Sequence, residues 1–147
     1  VTRGWLLDTN VLSELAKGSR GDRGVFAWVA RAGEAELFLS VITLGEIAKG
    51  IGLAEARGRD LGRLREFFEQ EVPARFGRRI LAFDRDAAIA WARLMQQLRR
   101  NREEERRLAL DAQIAAIAEV AELGICSRNR GDFERLGVSV LDPFSRL

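Results

Sequence analysis

The stretch that most constrains this chain is Trp5-Leu6-Leu7-Asp8-Thr9-Asn10. Three apolar residues run straight into an acid, two small polar residues follow, and Val11, Leu12 and Leu15 then recur at helical spacing. This pattern predicts a short buried strand that ends at Asp8 and turns at once into a helix over 10–17. In an open parallel sheet, ligands bind in the crevice outside the carboxyl ends of the strands. Asp8 is therefore expected on that rim, and the rest of the chain can be searched for groups that arrive at the same place.

The same kind of unit recurs. After a loop over 18–24 comes a short helix over 25–32, a buried strand over 36–40, and a helix over 41–57 that Ser40 or Thr43 can cap. A further amphipathic helix is expected over 61–71, stopped by Pro73. Next come a strand over 79–83 and a helix over 84–100 started by Asp84 and Asp86. Its apolar stripe includes Ala87, Trp91, Leu94 and Leu98. The segment 101–107 is almost entirely charged and reads as a solvated helix end or loop. The segment 108–123 leaves so little polar face that it predicts a helix buried nearly all round. Strands over 125–127 and 138–141 follow, separated by a loop over 128–132 and one helical turn. Alternating strands and helices imply right-handed crossovers. The expected fold is α/β, a central parallel sheet of about five strands with helices on both faces. With 147 residues, no linker and no internal repeat, 1–147 is expected to form one domain.

Composition narrows the chemistry. There is no His and no Tyr, which excludes Ser-His-Asp and Cys-His catalysis, His-ligated zinc and tyrosine nucleophiles. The single cysteine, Cys126, reads as a buried strand residue and cannot form an intrachain disulfide. With no signal-like or membrane-spanning run, a cytoplasmic protein with no membrane partner is expected. Of 24 basic residues only Lys17 and Lys49 are lysines. Arginine forks suit phosphate geometry, although a codon bias toward arginine produces the same composition.

Four acids fall at or just past the ends of expected elements: Asp8, Glu46, Asp111 and Asp132. Each has a structural alternative. Asp8 and Asp111 can cap helices, Thr43-Leu44-Gly45-Glu46 matches a capping box, and Asp132 can cap a turn. Taken together they suggest something else. Carboxylates gathered in a crevice raise one another's pKa and call for a cation. An all-oxygen set suits a hard ion, Mg²⁺ or Mn²⁺, and carboxylate-held Mg²⁺ is a common arrangement for phosphodiester chemistry.

Four motifs at these separations carry a family resemblance. They are Leu6-Leu7-Asp8-Thr9-Asn10-Val11, Ser40-Val41-Ile42-Thr43-Leu44-Gly45-Glu46-Ile47, Leu110-Asp111-Ala112-Gln113-Ile114-Ala115-Ala116 and Ser127-Arg128-Asn129-Arg130-Gly131-Asp132-Phe133. The chain resembles the PIN-domain ribonucleases, in particular the VapC toxins of VapBC toxin–antitoxin pairs and the related FitB-like plasmid-stability proteins. The resemblance implies a Mg²⁺-dependent endoribonuclease in which Mn²⁺ can substitute. Asp8, Glu46, Asp111 and Asp132 would be the catalytic, metal-binding acids, with Asp132 at a position able to act through water, and Asn10 and Ser127 would be supporting polar groups. It also implies a homodimer and a small VapB- or FitA-like antitoxin that buries an apolar groove. Promoter DNA would be bound only through that antitoxin. The substrate would be a structured RNA such as tRNA or ribosomal RNA. The charged 101–107 stretch departs from the shorter loop usual in the family.

Several other residues carry competing readings. Arg128 and Arg130, nearest the acids in sequence, are candidate RNA-phosphate contacts. The clusters Arg57/Arg59/Arg63/Arg65, Arg75/Arg78/Arg79 and Arg99/Arg100/Arg102/Arg106/Arg107 are either phosphate contacts or a solvated face with partners such as Glu66 and Glu103. Trp28, Phe67, Phe68 and Trp91 read as core or partner surface, and Trp5 as cover for a sheet edge. A dehalogenase-like phosphatase would need a second acid where Asn10 stands. A receiver domain would need a late lysine, and none follows Lys49. A catalytically inactive module that binds a partner or nucleic acid is the remaining alternative.

Overall fold

The computed structural model describes residues 2–98 and 101–145. Its sheet is built from β1 (Trp5–Leu7), β2 (Leu37–Ser40), β3 (Ile80–Leu81), β4 (Gly124–Cys126) and β5 (Val140–Leu141), all parallel, in the order β3-β2-β1-β4-β5. The chain fills one side of β1 first, then returns to lay β4 and β5 on the other. The change of direction between β1 and β4 makes their carboxyl ends the switch point of the sheet. Asp8 directly follows β1, and Ser127 directly follows β4 in the paired register Leu7–Cys126.

Side-chain alternation along the strands divides the core in two. Leu6 and Ile125 face one layer, formed by α6 (Arg85–Leu98), α8 (Ala109–Val120) and α9 (Arg130–Arg135). Leu7, Leu37, Leu39 and Cys126 face the other, formed by α1 (Thr9–Ala16), α2 (Arg23–Ala32), α3 (Val41–Ala56) and α5 (Val72–Phe76). The nearly polar-free α8 lies between the sheet and α6. Ala112 and Ile114 to Ala118 are all buried there. At about 25 cal/mol per Å², such a helix draws its stability from burial rather than from intrinsic propensity. No described helix is long and apolar enough to cross a membrane.

Three expectations need correcting. Pro73 does not stop its helix. The segment runs from α4 (Gly62–Glu66) through a π-helical turn at Phe67–Glu71 into α5, where Pro73 sits in the first turn. The wider π turn shifts the hydrogen-bond register, so the missing proline N–H falls where no intrahelical partner is needed. The chain then breaks at Gly77, whose φ of 51° is left-handed. Trp5 does not cover an edge. It lies on the central strand, its ring against Gly124 of β4 and edge-on to Trp28 at 6.0 Å, and a Cβ on Gly124 would come within 2.5 Å of that ring. The charged stretch is a helix, α7 (Arg102–Arg107), started by Asn101, whose side chain accepts the Glu104 N–H. Of its basic cluster, Arg99 and Arg100 lie outside the described residues, as does the end of the helix expected to reach 100.

Candidate active site

Asp8 occupies the cap position of α1 but makes no capping bond to it. It is 6% exposed, and its Oδ2 instead accepts from Ser127 Oγ at 2.7 Å and Asn10 Nδ2 at 3.3 Å. Asn10 also donates to Ser127 Oγ at 3.1 Å, and its Oδ1 accepts the Arg128 N–H at 3.1 Å. The Asn129 N–H donates to Ser127 Oγ at 2.9 Å. The ends of β1 and β4 are thus stitched together around one carboxylate. Burial raises the Asp8 pKa, and the Ser127 and Asn10 bonds oppose the rise.

Glu46 reaches the site because the expected capping box does not form. Ser40 Oγ accepts the Thr43 N–H at 3.0 Å, and Thr43 is buried. With that amide already satisfied, Glu46 faces outward from the second turn of α3. Its pKa is raised by burial first and by the charge of Asp8 second. Asp111 stands in the first turn of α8, whose cap position belongs to Leu108. Burial, followed by the charges of Asp8, Asp132 and Glu46, pushes its carboxyl up to about 7. The four acids therefore share one electrostatic environment, although they come from four different elements.

Asp132 behaves differently. Arg107 Nη1 donates to its Oδ1 at 2.6 Å and Asn129 Nδ2 donates to its Oδ2 at 2.9 Å. Arg107 holds its pKa below the ordinary carboxylate value, with Asn129 assisting. Asn129 Nδ2 also lies 3.3 Å from Asp111 Oδ2 and bridges the two acids. In the sequence Arg107 stood only within a basic cluster read as phosphate contacts or a solvated face, and Asn129 carried no assigned role. The available signals were their positions, Arg107 one helical turn before Asp111 and Asn129 three residues before Asp132.

The two arginines nearest the acids in sequence are engaged elsewhere. The Arg130 side chain pairs with Glu134 at 3.0 Å, and the Arg128 guanidinium lies 3.7 Å from the centre of the Phe144 ring. Among the described residues, the acids that answer the arginine clusters are others than Glu66 and Glu103. Arg65 is held by Glu55 and Glu69, and Arg75 and Arg79 by Glu34.

The donor set fits a hard divalent cation. It is all oxygen, and the raised pKa values of Asp8, Glu46 and Asp111 mark charge that is poorly compensated within the protein. Among the described residues, no three acids are drawn together at ligating spacing. Beside the crevice, a groove of about 330 Å³ runs along α3 from Thr9 and Glu46, past Ile47, Gly50, Ile51 and Ala54, to Arg59. Its opposite wall is Leu61, Leu64 and Phe68.

A five-stranded parallel sheet covered by helices is the fold of the PIN domain. The model of that domain matches residues 5–138, and the chain belongs to this family. Within it, the chain is similar to the plasmid stability protein StbB of Pseudomonas syringae pv. tomato, 34% identical over 142 residues that span 95% of this chain and 97% of the relative. It is likewise similar to the toxin FitB of Neisseria gonorrhoeae, 33% identical over 139 residues (95% and 97%), and to the VapC ribonuclease Y4jK of Sinorhizobium fredii, 34% identical over 143 residues (95% and 96%). The solved structure of FitAB bound to an IR36 DNA fragment contains a chain that matches with a TM-score of 0.75 at 28% identity, covering 97% of this chain and 96% of that one.

Proposed function

We propose that this protein is the toxin half of a toxin–antitoxin pair: one PIN unit acting as a divalent-metal-dependent endoribonuclease, with Mg²⁺ as its ion and Mn²⁺ able to replace it. The observation that carries the reading is the hydrogen-bonded chain through Ser127 and Asn129 that joins Asp8, Asp111 and Asp132 at the end of β4, with Glu46 close enough to raise the Asp111 pKa. The relatives named toxin and ribonuclease support it.

Asp8, Glu46 and Asp111 would hold the ion. A bound divalent cation supplies Lewis-acid stabilisation of a phosphodiester oxygen and lowers the pKa of water. Ser127 and Asn10 fix the Asp8 carboxylate, so little reorganisation is left for the reaction itself. Asp111 carries its proton up to about pH 7 in the free protein and must release it to act as a ligand. Glu46, which opens onto the groove, is placed to accept a proton from the attacking water. Arg128 and Arg130, expected to contact the flanking RNA backbone, would have to leave Phe144 and Glu134 to do so.

The α3 groove supports an antitoxin as partner. It is apolar at its centre and reaches Glu46, so a segment lying in it would cover the acidic crevice. A Cβ on Gly50 meets open space, so Gly50→Phe should fill the groove without disturbing the core and abolish antitoxin capture in a pull-down. Promoter DNA would be bound through that antitoxin. A homodimer working in the cytoplasm completes the reading, and light scattering tests the dimer.

The direct test is cleavage of total bacterial RNA by purified protein in Mg²⁺ or Mn²⁺. Discrete fragments that vanish with EDTA and in Asp8→Asn are expected. Cleavage that survives either control would overturn the proposal. If there is no cleavage and no Mn²⁺ binding, the protein is a partner-binding module.

A further inference from the structure

Helix α7 is tied to α9 by two ion pairs. Arg107 holds Asp132 at 2.6 Å and Glu104 holds Arg135 at 2.8 Å. The charged stretch is therefore docked beside the acidic crevice, and Arg107 is the cation it delivers there. We propose that Arg107 receives a phosphodiester of the RNA backbone at the rim of the crevice, and that Asp132 is the positioning residue that holds the guanidinium there rather than a direct ligand of the divalent ion. The inference rests on the ribonuclease reading above.

The hydrogen bonds carry it. Both oxygens of Asp132 are engaged, Oδ1 by Arg107 and Oδ2 by Asn129, whereas the side-chain donors to Asp8, Ser127 and Asn10, both meet Oδ2. Asn129 continues the chain to Asp111 Oδ2 at 3.3 Å, so the guanidinium is connected to the crevice through only two side chains. Arg107 uses one nitrogen on Asp132 and its side chain is 54% exposed, which leaves further N–H donors in fork geometry for an anion. The guanidinium also lies close enough for Asp111 and Asp132 to stabilise its charge.

The other arginines around the site point the same way. Arg130 is paired with Glu134, Arg135 with Glu104, and Arg128 covers the face of Phe144. A crevice of three poorly compensated carboxylates repels a polyanion, and a cation at its mouth offsets that repulsion. Phosphate contacts fix the register of the strand without reading its sequence.

The experiment titrates fluorescently labelled bulk tRNA, without divalent ions, into full-length Asp8→Asn protein, and follows anisotropy at several salt concentrations. Adding Arg107→Ala should weaken binding about tenfold and lower the salt slope by about one. Arg107→Lys should recover part of the affinity. Glu104→Gln, which keeps Arg107 and frees Arg135 from its partner, should not weaken binding. On the otherwise wild-type chain, Asp132→Asn should bind Mn²⁺ within about threefold of wild type by calorimetry, while Asp111→Asn loses it; ligand loss exceeds what an outer partner costs.

Unchanged RNA affinity and salt slope in Arg107→Ala would overturn the inference. So would equal losses in Arg107→Ala and Glu104→Gln, or loss of Mn²⁺ binding in Asp132→Asn. If the Asp8→Asn parent binds no RNA, the ribonuclease reading fails first and takes this inference with it.

Discussion

The inner wall of the crevice and its rim treat the same chemical group in opposite ways. On the wall, burial raises the pKa of Asp8, Glu46 and Asp111, and for Glu46 and Asp111 the neighbouring acids add to the rise. On the rim, Asp132 has a guanidinium on one oxygen and an amide on the other, and its pKa is lowered. The wall therefore has a deficit of positive charge and the rim does not. A cation from solution has most to gain at the wall. The protein supplies its own cation at the rim, which is why four acids close in space need not be four equivalent ligands.

The largest test of this contrast is removal of charge at the wall. Asp8→Asn and Asp111→Asn should each lower RNA cleavage by more than about a hundredfold, beyond the range for outer hydrogen-bond partners. Circular dichroism spectra should stay unchanged, because the shape of each side chain is kept. Ser127→Ala comes next. It takes the 2.7 Å donor from Asp8 and should cost about 10- to 100-fold in cleavage or Mn²⁺ affinity.

Wall and rim should also differ in the pH dependence of stability, read as melting temperature in EDTA. Asp111 titrates near 7 when folded and near 3.8 when unfolded, so the folded state binds more protons between these values. Its contribution to stability is therefore lost as pH rises from about 4 to 7, and Asp111→Asn should flatten that fall. Asp132 runs the other way. Its lowered pKa stabilises the fold above the ordinary carboxylate range and the contribution is lost as pH falls through it, an effect Arg107→Ala should remove. Saturating Mn²⁺ should erase the Asp111 effect first, because ligation favours the ionised form.

The smallest effect belongs to an exposed pair outside both regions. Arg65→Ala breaks contacts to Glu55 and Glu69 on the surface and should leave the urea unfolding midpoint nearly unchanged, with cleavage unchanged. A large loss of cleavage there would mean that the division between wall and rim misses part of the site.

Much of this molecule can be read from short-range pattern. The run into Asp8 marked β1 and the start of α1, and the continuous apolar run Leu37-Phe38-Leu39 marked a buried strand. The nearly polar-free α8 was legible from composition alone. The acids were visible as strand-end and helix-start residues because their positions follow from where the elements begin and end. These features depend on periods of two or 3.6 residues, and a neighbour a few positions away supplies them.

Other features depended on partners far along the chain. Nothing near Pro73 signals a π turn that lets the helix continue, because Val72 and Phe76 are drawn into a core assembled from other elements. Arg107 meets Asp132 across 25 positions and Ser127 meets Asp8 across 119. Strand order brought β4 beside β1 and so placed those pairs in contact. Local pattern can put a carboxylate at the end of an element. Whether it is left uncompensated or neutralised depends on which distant side chain the sheet topology folds against it, because electrostatic and hydrogen-bond energies follow distance in space rather than separation in sequence.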